Sequence, residues 1–81
     1  MKVLLTIEGG FAKTIFEGDK DGVEWFLKGF QYSRKTNLES PEVIGVLTEG
    51  MTVEGRGKDM FWCVGVLSAM ENKKGILEVV E

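Results

Sequence analysis

Hydrophobic and polar positions alternate at the start of the chain. Val3, Leu5 and Ile7 share one side of residues 2–8, which is the period-two pattern of a half-buried strand. Two glycines follow, and glycine supplies the positive backbone torsions of a tight hairpin turn. The chain therefore opens with a strand that enters an antiparallel hairpin.

The second strand of this hairpin is predicted over residues 11–17, after a two-residue turn at Gly9 and Gly10. The pattern does not select a single inward face for it. Two sets of inward-facing residues fit: Ala12, Thr14 and Phe16, or Phe11 and Ile15.

Helical spacing replaces the alternation after residue 18. Asp19 or Asp21 caps a helix over about residues 22–34, because a short carboxylate accepts hydrogen bonds from the first free amide groups and complements the positive helix end. Basic residues at its end, Arg34 and Lys35, suit the negative end of the dipole. Apolar side chains at helical spacing form the predicted buried stripe: Val23, Phe26, Leu27 and Phe30.

The second half of the chain repeats this order of elements. Residues 43–48 and 51–54 are predicted as short strands, and residues 76–80 as the last strand. Residues 59–72 contain an uninterrupted apolar run that fits either a buried strand or a buried helix. Alignment with the first helix favours a helix. In that alignment, four residues take the places of the buried stripe: Met60, Cys63, Val64 and Leu67.

One short pattern occurs twice, 37 positions apart: Glu17, Gly18 and Trp25 recur as Glu54, Gly55 and Trp62. The repeat suggests a duplicated β-β-α unit closed by a last strand. Hairpins followed by helices give an α+β fold, in which an antiparallel or mixed sheet of four to five strands carries two helices on one face. We expect a single domain over residues 1–81.

The core of such a short chain is thin. A domain of this size buries only about 60–65% of the surface that its unfolded chain exposes. Cys63 is the only cysteine and there is no histidine, so the chain lacks an internal disulfide and the ligand clusters of structural zinc sites. We expect no metal and no cofactor, and we expect oligomerisation or partner binding to supplement the core.

Charge and hydropathy restrict the class of partner. The formal net charge is −3, and a mildly acidic surface disfavours duplex nucleic acid. The longest apolar run, residues 60–67, is far shorter than the roughly 20 residues of a membrane span. Residues 1–3 open a strand pattern rather than a signal peptide. The sequence therefore predicts a soluble cytoplasmic protein that does not enter the membrane.

The aromatic residues are the first candidates for function. Because the buried stripe of the first helix faces inward, Trp25 and Tyr32 turn toward another side, with Gly29 between them as a shallow notch. The second helix carries a comparable second apolar face: Trp62, Val66 and Ala69. These residues form a surface for self-association or for a foreign protein, or else the tryptophans complete the domain's own core.

The second candidate is a glycine-rich basic segment ahead of the second helix: Gly55, Arg56, Gly57 and Lys58. Glycines let backbone amides approach an anion, and a helix N-terminus adds positive potential, so this segment is a possible phosphate or carboxylate site. The alternative is a flexible turn with solvated charges. The glycine spacing is shorter than that of the nucleotide-binding phosphate loop.

Four carboxylates near the first helix have some likeness to a calcium loop: Glu17, Asp19, Asp21 and Glu24. Lys20 interrupts them and the closing glutamate is absent, so helix capping explains them better. Catalysis has little support, because there is no histidine for acid–base chemistry near neutral pH and Cys63 lies in an apolar run. We expect that the protein is not an enzyme.

Two short segments carry a resemblance to a group of known proteins: Ile7-Glu8-Gly9-Gly10 at the turn and Phe16-Glu17-Gly18-Asp19 before the helix. With the short length and acidic balance, the first third of the chain resembles small accessory proteins encoded by phages. The resemblance implies an inhibitor that occludes a host enzyme or defence complex, or an oligomer that sequesters a small nucleotide signal.

The sequence thus predicts a non-enzymatic interaction protein that forms a homodimer or larger homo-oligomer and acts by binding, and in the phage-like case inhibiting, another protein. The alternative is an oligomer that binds or sequesters a small phosphate-bearing ligand such as a nucleotide through residues 55–58. Single-stranded nucleic acid, bound by stacked aromatics, would require a basic groove that the acidic balance disfavours.

Overall fold

The computed structural model describes residues 1–37 and 59–81. This part of the chain contains, in order, β1 (Lys2–Thr6), β2 (Ala12–Glu17), α1 (Lys20–Thr36), α2 (Asp59–Glu71) and β3 (Ile76–Val80). The strands form an antiparallel sheet in the order β2-β1-β3. The fold is α+β, as predicted. A sheet of four to five strands is not supported, and the predicted strands at 43–48 and 51–54 lie outside the described residues.

β1 is the central strand of the three, and its alternation sets the inner face of the sheet. Val3 and Leu5 are fully buried, as the period-two pattern predicts. Val79 pairs with Val3, and Leu77 pairs with Leu5, so β3 extends the same apolar face. β3 has the bounds that the sequence predicts.

A bulge in β2 resolves the ambiguity of its inward face. The pairing with β1 shifts between Val3 and Leu4, since Val3 lies opposite Phe16 while Leu4 lies opposite Thr14. Ile15 is the extra residue, and both Ile15 and Phe16 pack against the core. Neither predicted alternation is therefore right, because an extra residue in one strand breaks the period of two.

The connection between β1 and β2 is longer than the two-residue turn predicted from the glycines. The Gly10 amide donates a hydrogen bond of 2.8 Å to the Ile7 carbonyl oxygen. Gly9, the third residue of this turn, has a φ of 76°, which glycine adopts without strain. The turn thus includes the end of the predicted first strand, and β1 ends at Thr6.

α1 is longer than predicted, but its cap and buried stripe are confirmed. Asp19 Oδ1 accepts a hydrogen bond of 2.8 Å from the Gly22 amide, which makes Asp19 the N-cap. The helix ends at Asn37, whose φ of 51° is the left-handed conformation that often follows a helix. Three residues of the predicted stripe are fully or nearly fully buried: Val23, Phe26 and Phe30. Leu27, the fourth, is partly buried and packs against the core.

α2 is a helix, as the alignment favoured, but the predicted buried stripe is wrong. Val66 and Ala69 are buried, whereas Met60, Val64 and Leu67 are exposed. The helix is rotated about its axis relative to the prediction. Since α2 is apolar on every side between its two acidic ends, its own pattern does not determine which side faces the core.

Close contact with α1 determines this rotation. Near the start of both helices, Phe61 lies beside Gly22, and at their ends Arg34 bonds the Asn72 carbonyl oxygen, so the helices run in the same direction. A Cβ at Gly29 would overlap the carbonyl oxygen of Trp62 and would lie 2.9 Å from its carbonyl carbon. The backbones therefore touch at this glycine.

Gly65 makes the reciprocal contact from α2. A Cβ there would overlap the carbonyl oxygen of Phe26 and would lie 2.9 Å from the amide nitrogen of Phe30. With Gly29 and Gly65 both at the crossing, the buried positions of the helices correspond at a spacing of 36 residues, not 37. One residue rotates a helix by about 100°, which explains the misassigned face.

The core lies where this helix pair covers the inner face of the sheet. It joins Val3 of β1 to residues from both helices: Val23, Phe26, Phe30 and Ala69. The Phe16 ring from β2 stacks on the Phe26 ring at a centroid distance of 4.5 Å. Both helices thus contribute to the core on the face of the sheet that carries Val3.

We expect Gly65→Ala to lower the free energy of unfolding by about 2 kcal/mol. Overpacking costs about 1–3 kcal/mol, and a backbone carbonyl cannot swing aside as a flexible side chain does, so the clash outweighs the gain in helix propensity. Urea unfolding followed by circular dichroism measures the change.

Gly22→Ala is the matched control, because Gly22 is also buried within α1. Its added Cβ would meet Asp19 Oδ1 at 3.2 Å and two aromatic rings at 3.7 Å, with no backbone in the way. Its stability should stay within about 1 kcal/mol of wild type. Equal losses of unfolding free energy in the two variants would show that the backbone contact at Gly65 does not cause the destabilisation.

Candidate interaction surfaces

The outward side of α2 carries a row of exposed apolar side chains, which we call the α2 stripe: Met60, Val64 and Leu67. They are 71%, 39% and 45% exposed, respectively. Spacings of four and three residues align them along one side of a helix. This side faces away from Val66 and Ala69, which enter the core.

α1 provides an internal reference for the α2 stripe. At the spacing of 36 residues set by the two glycines, the stripe corresponds to three exposed polar residues of α1: Glu24, Lys28 and Gln31. α1 therefore has the polar outer face of an ordinary surface helix, and α2 has an apolar one in the same place. A helix that is apolar all round is normally buried on every side.

Charges are also distributed differently on the two helices. No charged residue lies between Asp59 and Glu71 of α2. Its last turn has no basic residue, whereas that of α1 contains Arg34 and Lys35. Glu71, at the position that corresponds to Lys35, thus stands at the negative end of its own helix dipole.

The five residues predicted as an interaction surface do not form one exposed face. Val66 and Ala69 are buried in the core, so they offer no outer surface. Trp62 is half-buried, and its ring lies 5.5 Å from that of Tyr32. Trp25 is also half-buried, with Lys28 Nζ 4.5 Å from its ring centroid.

The sequence-predicted notch at Gly29 is real, but it serves the fold. It holds the backbone of Trp62, as the glycine contact shows, so the second side of α1 faces α2. Among Trp25, Tyr32 and Trp62, only Tyr32 is exposed.

Arg34 joins the C-terminal ends of the helices to β3. Its Nη2 and Nε atoms donate to the Asn72 carbonyl oxygen at 2.8 and 3.3 Å, and Nη1 donates to the Gly75 carbonyl oxygen at 3.0 Å. The guanidinium also lies 4.5 Å from the Phe30 ring centroid. A cation at this position satisfies carbonyl groups at the end of α2 and offsets the dipoles of two parallel helices.

A cavity beside Arg34 is too small for an organic ligand. Its volume is about 60 Å³, and its walls come from both helix ends: Ser33, Arg34, Asn37, Ala69, Met70 and Lys73. Ligand pockets usually enclose about 300–1,000 Å³. The cluster at the helix ends is therefore a structural junction.

A second apolar surface lies at the hairpin end of the sheet, and we call it the hairpin-end patch: Ile7, Phe11 and Ile76. All three are exposed, and the Phe11 side chain is 97% exposed. An open groove of about 510 Å³ lies between residues 6–9 and 74–76, and Ile7 and Ile76 are among the residues that line it. Exposed apolar surface beside a groove marks a candidate interaction site.

The other predicted sites have different outcomes. Asp19 is a helix cap, and Asp21 lies in the first turn of α1. No group of three or more potential metal ligands occurs within residues 1–37 and 59–81. The predicted anion-binding residues lie outside the described part of the chain: Gly55, Arg56, Gly57 and Lys58.

Comparison with protein-family models, with curated proteins and with solved structures finds no match to this chain. Among the described helices, neither α1 nor α2 is long and apolar enough to cross a membrane.

Sequence reasoning missed the α2 stripe because it placed these residues in the core. A usable signal was present in Gly29 and Gly65, since two glycines within helices at matching places indicate close backbone contact. Aligning the helices on these glycines instead of the tryptophans assigns the outward face correctly.

We expect Arg34→Lys to lower the free energy of unfolding by about 1–2 kcal/mol. Lysine keeps the charge but lacks the planar fork that reaches both the Asn72 and Gly75 carbonyl oxygens. Lys35→Gln, at the adjacent exposed position, is the control and should change stability by less than about 0.5 kcal/mol. Chemical unfolding measures both variants. An Arg34→Lys variant as stable as wild type would contradict a stabilising role for the Arg34 hydrogen bonds.

Proposed function

We propose that this protein is a non-enzymatic interaction protein that associates with itself and acts by binding another protein. The α2 stripe is the observation that carries this proposal. Met60, Val64 and Leu67 face outward from a helix that has no polar side, whereas the corresponding side of α1 is polar.

The energetic argument favours covering the stripe. Full burial of a Met, Val or Leu side chain contributes about 1.5–3 kcal/mol relative to exposure in water. A domain of this length has a thin core, and a second surface of contact adds stability that the core alone does not supply. Association thus stabilises the fold and covers the stripe at the same time.

The residue types of the chain support binding rather than catalysis. There is no histidine, and the single cysteine lies within apolar α2. The acid–base and nucleophilic groups that usually perform chemistry near neutral pH are therefore scarce.

The hairpin-end patch is suited to a second protein. It lies at the hairpin end of the sheet, whereas the stripe lies on α2, so the two surfaces come from separate elements. An aromatic side chain as exposed as Phe11 has the area of an interface anchor, and the groove beside Ile7 and Ile76 accommodates an extended segment.

We expect a polar-face variant, Met60→Glu with Val64→Lys and Leu67→Gln, to be folded and monomeric. It gives α2 the outer residues of α1, keeps the net charge at −3, and introduces good helix formers. Sedimentation velocity over a range of protein concentrations compares its mass with wild type, and far-UV circular dichroism checks its helix content.

The matched control is Glu24→Gln with Gln31→Glu, which changes exposed α1 positions without changing net charge. It should assemble as wild type does. A wild-type protein that stays monomeric at every concentration, or a folded polar-face variant with wild-type mass, would rule out self-association through the stripe.

We expect Phe11→Asp to lose binding to a protein partner while its self-association is unchanged. The Phe11 ring is almost fully exposed, so the substitution removes an anchor without opening the core. Immobilised wild type and variant are compared for proteins captured from cells, and each captured protein is purified for a measured dissociation constant.

Lys13→Ser provides the control in the same hairpin, because Lys13 is exposed on β2 outside the hairpin-end patch. It should bind any partner as wild type does. Equal affinity of wild type and Phe11→Asp for every purified partner would exclude the hairpin-end patch as the binding surface.

A further inference from the structure

We propose that two copies of this chain pair through the α2 stripe as antiparallel helices, with a two-fold axis beside Val64. The inference rests on the proposed self-association and specifies its geometry. The α2 stripe of one copy then packs against the α2 stripe of a second copy.

The spacing of the stripe is nearly symmetric about its middle. Met60 lies four residues before Val64, and Leu67 lies three residues after it. When a second α2 lies antiparallel with Val64 near Val64, Met60 of each copy meets Leu67 of the other. Long side chains then pack at both ends around the smaller central pair, which is the self-complementarity that a two-fold interface requires.

Electrostatics select the antiparallel arrangement. Glu71 is seven residues from Val64, or about 10 Å along the helix axis. In the antiparallel pair this carboxylate lies just beyond the start of the partner helix, where the dipole is positive. The misplaced acid at the end of α2, whose last turn has no basic residue, therefore finds a favourable field.

A parallel pair would have the opposite effect. The two Glu71 carboxylates would lie side by side at two negative helix ends. The parallel contact between α1 and α2 is tolerated because Arg34 bonds the carbonyl groups there. Among the described residues, the outward side of α2 offers no equivalent cation.

A seam formed by three side chains from each copy is smaller than a standard protein interface. We therefore expect a dimer whose population rises with protein concentration. The wild-type dimer should be measured by sedimentation equilibrium at low ionic strength.

The decisive experiment is a charge exchange across the seam. Met60→Glu with Leu67→Lys places opposite charges together in an antiparallel pair and like charges together in a parallel pair. Met60→Glu with Leu67→Glu is the control, since it places like charges together in both. We expect the first variant to dimerise about tenfold more tightly than the second at low salt, and the difference to shrink at high salt.

Cross-linking of wild type gives a second readout. A two-fold axis perpendicular to antiparallel helices places both copies of Cys63 on the same side of the seam, one residue from the centre. A parallel pair places them on opposite sides. A short bismaleimide should therefore link Cys63 to Cys63 in wild type and not in the polar-face variant, with a monofunctional maleimide as the check that the thiol reacts.

The outcomes distinguish failure of the antiparallel pairing from failure of the proposed self-association. A monomeric wild type overturns both. A wild-type dimer that neither charge variant weakens places the interface elsewhere. Equal dimer affinity of the two charge variants at low salt, with no Cys63 cross-link in wild type, rejects the antiparallel pairing; self-association stands in each case. Absence of a cross-link in a dimer with reactive Cys63 also rejects the pairing.

Discussion

Gly29 and Gly65 bring the backbones of α1 and α2 into direct contact, and the rest of the arrangement depends on that approach. The contact fixes how α2 is rotated about its axis, because a Cβ at either glycine would enter the other helix. Rotation in turn decides that Val66 and Ala69 complete the core over Val3, and that the opposite side of α2 faces outward. A helix without a polar face obtains its orientation from its neighbour.

The parallel direction of the two helices has its own electrostatic requirement. Their C-terminal ends lie at one end of the molecule, and Arg34 joins them to the start of β3 through the Asn72 and Gly75 carbonyl oxygens. Asp19 serves the opposite end of α1 as a cap. The contact between the helices, the compensation of their dipoles and the attachment to the sheet therefore depend on a few residues. These contacts leave the α2 stripe uncovered on the helix side of the described structure.

Local chemistry explains which features the sequence predicted. Asp19, the Phe26 stripe of α1 and the bounds of β3 follow from capping and periodicity within short segments. The bulge at Ile15 depends on pairing with β1, and the rotation of α2 depends on a glycine contact with a distant helix. For α2, apolar residues on all sides removed the periodic signal, so alignment on the tryptophans selected the wrong face. Val66 and Ala69 were consequently assigned to a surface, while the α2 stripe was assigned to the core.

The position of β1 has a consequence for the order of folding. β1 pairs on one side with β2, which follows it closely in the chain, and on the other with β3, so that Lys2 lies opposite Val80. During synthesis the hairpin forms early, but the second edge of β1 has no partner until residues 76–80 emerge. That edge presents free amide and carbonyl groups beside the apolar Val3 and Leu5. We therefore expect the second edge of β1 to be open to strand pairing with neighbouring chains until β3 covers it.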